Sequence, residues 1–472
     1  MKKKLYILLI FILIAALGIL CFHSCTGKRN QFRFGDYLYT VENKEVTITE
    51  YKGNDEDVAI PKSILGAPVV AIGRYAFENC ESIKSLTIPD SVIKIDDSAF
   101  SHCTSLEHVT LGRGIREINS SPFSQCYKMI YNRHGNGFYI GNEENPYMAL
   151  VSVAPEFIET IEIHPDTLIV CGSAFSRCSS LHEVVLPEGV ISIGSSAFSN
   201  CSSLERVHIP DSVISIGSFA FSNCSSLERV HIPDSVISIG SFAFSNCSSL
   251  AGVYIPKNVK TIGSVAFGDC DSLIEITVSD ENPHFKSVDG NLFSRDGTRL
   301  IRYASAQEIS SYSVPDGTVI IERSAFEKAK HLTEVVLTNT VEEIGPGAFT
   351  DCENMCSINL VNSLKTIGAQ AFASCNALTE ITIPDSVEEL SYGMFSHCKK
   401  LETVVIGSGV IHLERNVFSG CDALIEVTFC NPTGWKVNTM YGLSSNKVDL
   451  SDPKQNAHYL KDEYCNYYWN KK

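Results

Sequence analysis

The side chains best equipped for chemistry in this sequence are its cysteines. There are 18 in 472 residues, and a thiol can serve as nucleophile, metal ligand or half of a disulfide. Their spacing narrows the choice. Twelve of them stand three residues after a recurring Ala-Phe or similar pair, as in Ala220-Phe221-Ser222-Asn223-Cys224. A thiol at one fixed point of a repeated unit behaves as one of a column of small buried hydrophobes. Reduced buried thiols are therefore expected, with occasional disulfides as the alternative. No Cys-x-x-Cys pair occurs, and the near pairs Cys171/Cys178 and Cys352/Cys356 have no histidine in a ligand pattern, so neither a metal nor another cofactor is expected.

Catalytic signatures are missing from the sequence. It has no His-Glu-x-x-His, no Gly-x-Ser-x-Gly, no Walker A loop and no dinucleotide fingerprint. Carboxylates are scattered over repeat positions that should face water. The segment Ser199–Phe221 recurs unchanged as Ser222–Phe244. Copied units supply a copied surface, whereas catalysis needs one unique constellation, so no enzyme is expected. The formal net charge of −16 excludes a polyanion such as nucleic acid as the partner.

Binding is the chemistry that remains. In the two copies the outward residues of a short strand are Arg206 with His208 and Arg229 with His231. The next unit offers Tyr254, and the preceding one Glu183 and Val185. This reads as a local basic and aromatic strip on the concave side of an acidic protein, and Arg and Tyr are enriched at binding hot spots. The plainer reading, solvated side chains of copied repeats, stays open beside it.

The elements that position these residues follow from the repeat. The phrase Ala-Phe-x-x-Cys, or a near variant, recurs thirteen times from Phe77 to Phe418, with steps of 23 residues except for 52 between Phe123 and Phe175 and 59 between Phe267 and Phe326. Phe326 alone lacks the following Cys and has Ala329 there. A 23-residue unit cannot bury its own apolar side; stacked units can, and one continuous core is expected. In one copy Leu204, Val207 and Ile209 form an inward strand that Pro210 ends. Val213 and Ile216 point in again, Gly217 supplies a bend, and Ala220, Phe221 and Cys224 close the coil through a short helical turn. Coils about 4.8 Å apart would build a rod some tens of ångströms long.

The blocks Leu-x-x-Val-x-Ile-Pro, Val-x-x-Ile-Gly and Ala-Phe-x-x-Cys, repeated from Ile60 to Phe429, resemble the BspA-like leucine-rich repeat family of bacterial surface proteins. The resemblance implies a β-rich solenoid: a right-handed leucine-rich repeat coil with parallel strands and short helical turns. It also implies adhesion to host matrix or serum proteins, or to other microbes, through a protein or glycoprotein ligand. The sequence departs from the common consensus in lacking the Asn after the strand; Ser212 stands about there.

The resulting organisation is a signal over 1–25, an N-terminal cap over 26–59, a solenoid over 60–430 with hairpin-like insertions near 130–160 and 280–312, and a C-terminal cap over 431–472. A helix is expected over 455–469, with Tyr459, Leu460, Tyr464 and Tyr467 on its apolar side. Lys2 to Lys4 followed by the apolar run Leu5 to Leu20 is an export signal. Phe22-His23-Ser24-Cys25 resembles a bacterial lipobox, so lipidation at Cys25 is expected, with plain signal cleavage or an uncleaved helical anchor as alternatives. Each route exports the chain, and the favoured one places it at the cell surface, in the outer membrane or in the periplasm, anchored at its N-terminus. The competing functions are an envelope scaffold without an external ligand and an enzyme hidden in an insertion.

Overall fold

The computed structural model describes residues 31–154, 159–438 and 445–471. The export signal and Cys25 lie outside the described residues. Among those described, no helix is long and apolar enough to cross a membrane. The chain is a β-solenoid with very little helix.

Each coil carries two short strands, and most strands pair in parallel with their equivalents one coil away; in the first strip the ladder is broken between Arg206–His208 and Arg229–Val230 and between Ser357–Ile358 and Glu380–Ile383. The first strip contains the Leu-x-x-Val-x-Ile segments. Val184 lies opposite Val207 and Val253 opposite Ile276, a shift of one repeat each time. The second strip contains the Val-x-x-Ile-Gly segments, with Ile193, Ile216, Ile239 and Ile262 in line. β-branched residues suit both strips because alternate side chains pack on the pleated inner surface. Leu204, Ile209, Val213 and Ile216 are all buried.

The third side of the coil is not helical. It is a train of turns in which Ala220 N donates to Gly217 O, Ser222 N to Phe219 O and Cys224 N to Phe221 O. Phe219 and Asn223 have φ of 58° and 62°, and left-handed residues interrupt any helix. Gly217, read as a bend, has no positive φ. It is glycine because a Cβ there would meet Ser195 N of the preceding coil at 2.5 Å.

Phenylalanines stack down this side. Phe198, Phe221 and Phe244 have ring centroids 5.1 and 5.2 Å apart and nearly parallel planes. Beside them runs the thiol column. Cys224 Sγ donates to Phe198 O at 3.2 Å, and nine other ladder cysteines make the same bond to the preceding coil. The Phe carbonyl already accepts the Cys N–H of its own coil, and the thiol fills its second lone pair. A small apolar group with a weak donor fits this place. The hydroxyl of Ser212 acts similarly, donating to Val190 O at 2.6 Å.

The interior is not one continuous core but three clusters, running from Tyr39 to Cys171, from Tyr139 to Ala304 and from Phe293 to Trp469. Each cluster begins at a three-stranded antiparallel meander. The first is Phe32–Phe34, Tyr37–Glu42 and Glu45–Tyr51. The second is Asn132–His134, Gly137–Ile140 and Ala149–Val153. The third is Phe285–Val288, Asn291–Ser294 and Arg299–Arg302. In each case the last strand pairs in parallel with the second strip. The residues at the ends of these strands, or just past them, are tied alike: Tyr51, Val153 and Tyr303 donate their N–H to the carbonyls of Ala76, Ala174 and Ala325.

The two internal meanders act as partitions. Tyr139 and Leu150 face the second cluster, whereas their chain neighbours Ile140 and Ala149 face the first. Leu292 faces the second and Phe293 the third. Strand side chains alternate between faces, so one layer can close one block and open the next.

The C-terminal end differs from the helix expected there. Pro453–His458 is α-helical, Tyr459–Glu463 is one π turn, and Tyr468–Lys471 is a strand. That strand pairs antiparallel with both His412–Leu413 and Trp435–Asn438. An open strip edge needs hydrogen-bond partners, and this need overrides the helical rhythm. Trp469 and Trp435 are buried in the closure.

Candidate functional site

Two surfaces of the coils could contact another molecule. The first is the outward row of the first strip. Val207 points inward and is buried, so Arg206 and His208 on either side of it are exposed, and Arg229 and His231 repeat the arrangement one coil on. Tyr254 is 46% exposed and Val185 is 59% exposed. The structure thus places all five expected residues on one strip, facing solvent.

Their electrostatics are milder than the sequence suggests. Parallel pairing sets Glu183 beside Arg206, and a terminal nitrogen of the guanidinium lies 3.8 Å from Glu183 Oε2. His208 Nε2 lies 3.7 Å from Glu188 Oε1. Exposed pairs of this kind contribute about 0–1 kcal/mol, but they offset the local positive charge. Arg229 and His231 form no ion pair among the described residues. The positive end of the row is therefore the second copy, not the first.

The second surface was not anticipated. A groove of about 820 Å³ runs along the second strip, from Lys94 and Glu117 in the first block to Thr261 in the second. Its floor is built from the Ser-Ile-Gly-Ser segments, including Ser215, Gly217 and Ser218, and Phe219 stands beside them. None of the five first-strip residues lines it. The blocks meet within it, where Ser195 Oγ donates to Asn119 Oδ1 at 3.2 Å and Ser120 Oγ to Ser195 O at 2.9 Å. Serine and glycine carry no strong chemical signature, which is why reading for reactive side chains passed over them. The signal that could have found the groove is the repetition of Ser-Ile-Gly-Ser at one point of successive coils.

The ladder thiols are held away from solvent. Eleven of the twelve ladder cysteines are buried, and Cys80 in the first coil is half-buried. Burial pushes the thiols of Cys224, Cys270 and Cys352 up to about 12, so they carry no thiolate at neutral pH. Among the described residues no group of three His, Cys, Asp or Glu side chains is arranged to hold a metal ion.

Comparison with known proteins agrees with this architecture. The family model for the BspA type leucine rich repeat region matches residues 56–142, 169–297 and 302–432, in six copies. The unmatched stretch 143–168 overlaps the second meander. Similar solved structures include a leucine rich cell surface protein from Faecalibacterium prausnitzii, 27% identical over 86% of this chain and 96% of that one, with a TM-score of 0.48. Another is the pneumococcal vaccine antigen PcpA, 26% identical over 86% of this chain and 88% of that one, with a TM-score of 0.46. A leucine-rich repeat protein from Eubacterium ventriosum is 19% identical over 84% of this chain and 83% of that one, and its TM-score of 0.51 reflects a shared fold. No curated protein matches the chain.

Proposed function

Because the chain belongs to the BspA type leucine-rich repeat family, we propose that it is an exported adhesin that binds a protein or glycoprotein of a host matrix or of other microbes. Leucine-rich repeat proteins generally bind protein ligands and are generally not enzymes. The observation that carries the reading is the outward row of the first strip. Its side chains play no part in the core, and two identical coils present Arg206 with His208 and Arg229 with His231 one repeat apart. Association through such a row needs no moving part, since the second strip of the same two coils, with Ser215 opposite Ser238, fixes their spacing. Export follows the N-terminal signal, and a lipid on Cys25 would hold the solenoid at the membrane with its coils projecting away.

Protease shaving of intact cells tests the reading. Release of repeat peptides between 60 and 430 is expected, with Cys25 recovered as a lipid-modified N-terminus by mass spectrometry of the membrane fraction. Full protection of the repeats until the envelope is broken would instead favour an internal scaffold.

A further inference from the structure

We propose that the groove along the second strip is a binding site for a linear, uncharged glycan, on a different face of the coils from the row that carries Arg206. The proposal goes beyond the protein-binding reading and stands independently of it.

The lining selects the ligand class. Of 25 lining residues, eleven carry a hydroxyl. The charged ones, Arg74 and Lys94 against Asp96, Asp97 and Glu117, nearly cancel. Most are already engaged: Lys94 lies 3.2 Å from Asp96 and 3.3 Å from Glu117, and Asp97 accepts from Ser120 N at 3.0 Å. A strongly charged polymer finds, of the cations, only Arg74 without an ionic partner among the described residues. A polyhydroxylated neutral one finds donors and acceptors throughout.

The floor sets the shape. A Cβ on Gly217, Gly240 or Gly263 would meet backbone of the preceding coil at 2.2–2.5 Å, so these glycines let successive coils pack closely along the groove. Parallel pairing aligns Ser192, Ser215, Ser238 and Thr261 in one row, and Ser218 and Ser241 belong to a second. The hydroxyls of Ser218, Ser238 and Ser241 make no hydrogen bond among the described residues. Coils repeat at about 4.8 Å, close to the rise of one sugar in an extended β-linked chain. Ser192 is buried, so successive sugars can meet equivalent hydroxyls on three successive coils, at Ser215, Ser238 and Thr261. At the side stands Phe219, 43% exposed and stacked on Phe242 at 4.9 Å. An aromatic ring there can pack against the C–H face of a pyranose.

An extended peptide fits less well. It would need an open strand edge or pockets for alternate side chains. The strand Ser215–Ile216 is already paired on both sides, with Ser192–Ile193 and with Ser238–Ile239.

The test is isothermal calorimetry on the purified, detergent-solubilised full chain with β-1,4-linked glucose, N-acetylglucosamine and xylose oligomers of two to six sugars. At least one series should bind, with affinity rising for each sugar up to three and then levelling. Ser218→Ala and Ser241→Ala should each weaken binding about threefold or more, the scale of one neutral hydrogen bond, while circular dichroism stays unchanged. The fourfold variant Arg206→Ser, His208→Ser, Arg229→Ser, His231→Ser should bind the glycan as the parent does. No binding in any series, affinity independent of chain length, or loss in the fourfold variant with the serine variants unaffected overturns the proposal.

Discussion

Phe219 and Phe221 stand two residues apart in one coil, yet their replacement should have very different consequences. Phe221 is fully buried, with Phe198 at 5.1 Å on one face and Phe244 at 5.2 Å on the other. Phe221→Ala should cost about 3–5 kcal/mol, because the coils above and below are fixed by their own hydrogen bonds and cannot collapse into the cavity. Phe219 is exposed and sits at φ 58°. Asparagine tolerates that conformation better, so Phe219→Asn regains part of a strain of about 1–2 kcal/mol. It loses the stack on Phe242, worth about 0.5–1.5 kcal/mol. The two terms offset to within about 1 kcal/mol. The assay is urea unfolding followed by far-ultraviolet circular dichroism. Three core clusters should unfold as more than one transition, and the one that belongs to residues 139–304 should move for Phe221→Ala alone. An equal loss for both variants, or an unmoved transition for Phe221→Ala, would refute the reasoning.

Two further predictions concern the thiols. Cys224, Cys270 and Cys352 are raised from an ordinary 9.0 to about 12 by burial. Their contribution is fully present below pH 9, where thiols of folded and unfolded chains alike are protonated. It is lost between about 9 and about 12, where the unfolded chain ionises first. The urea midpoint should hold to about pH 8 and fall above 9; a midpoint constant from pH 7 to 11 contradicts this. Iodoacetamide at neutral pH should label exposed Cys356 and Cys430 quickly, half-buried Cys80 and Cys465 slowly, and the buried ladder only after denaturation. Native labelling of Cys224 at the rate of Cys356 would mean the column is not interior.

Much of the fold was legible because apolar residues recur at one period. Phe221 and Cys224 mark the inside, and Arg206 and His208 fall outside by strand alternation. Tyr303 shows how legibility fails. It lies 23 residues before Phe326 and stacks on it at 4.9 Å, so it occupies the phenylalanine place of an extra coil. Tyrosine for phenylalanine, with Ala306 where cysteine was expected, hid it. The partition role of the meanders was hidden too, since only the assembled stack shows that Tyr139 and Ile140 serve different cores. The terminal strand Tyr468–Lys471 depends on partners some 30 to 60 residues away, which no local periodicity reports. At the site, the outward row followed from alternation, but its counter-charge did not. Glu183 reaches Arg206 only through the register between coils, and Glu188 reaches His208 from the turn after the neighbouring strand.

The most direct measurement of the functional account is interferometry of the purified full chain against an immobilised panel of extracellular-matrix and serum proteins, beside the variant with serine at positions 206, 208, 229 and 231. The account predicts that at least one protein binds, and that the variant binds it about tenfold or more weakly, with a shallower dependence on salt and unchanged circular dichroism. Arg229→Ser alone should produce more of that loss than Arg206→Ser, whose charge Glu183 already offsets. A variant that binds with the affinity of the parent, or a panel on which nothing binds, would contradict the claim that this row is the contact surface.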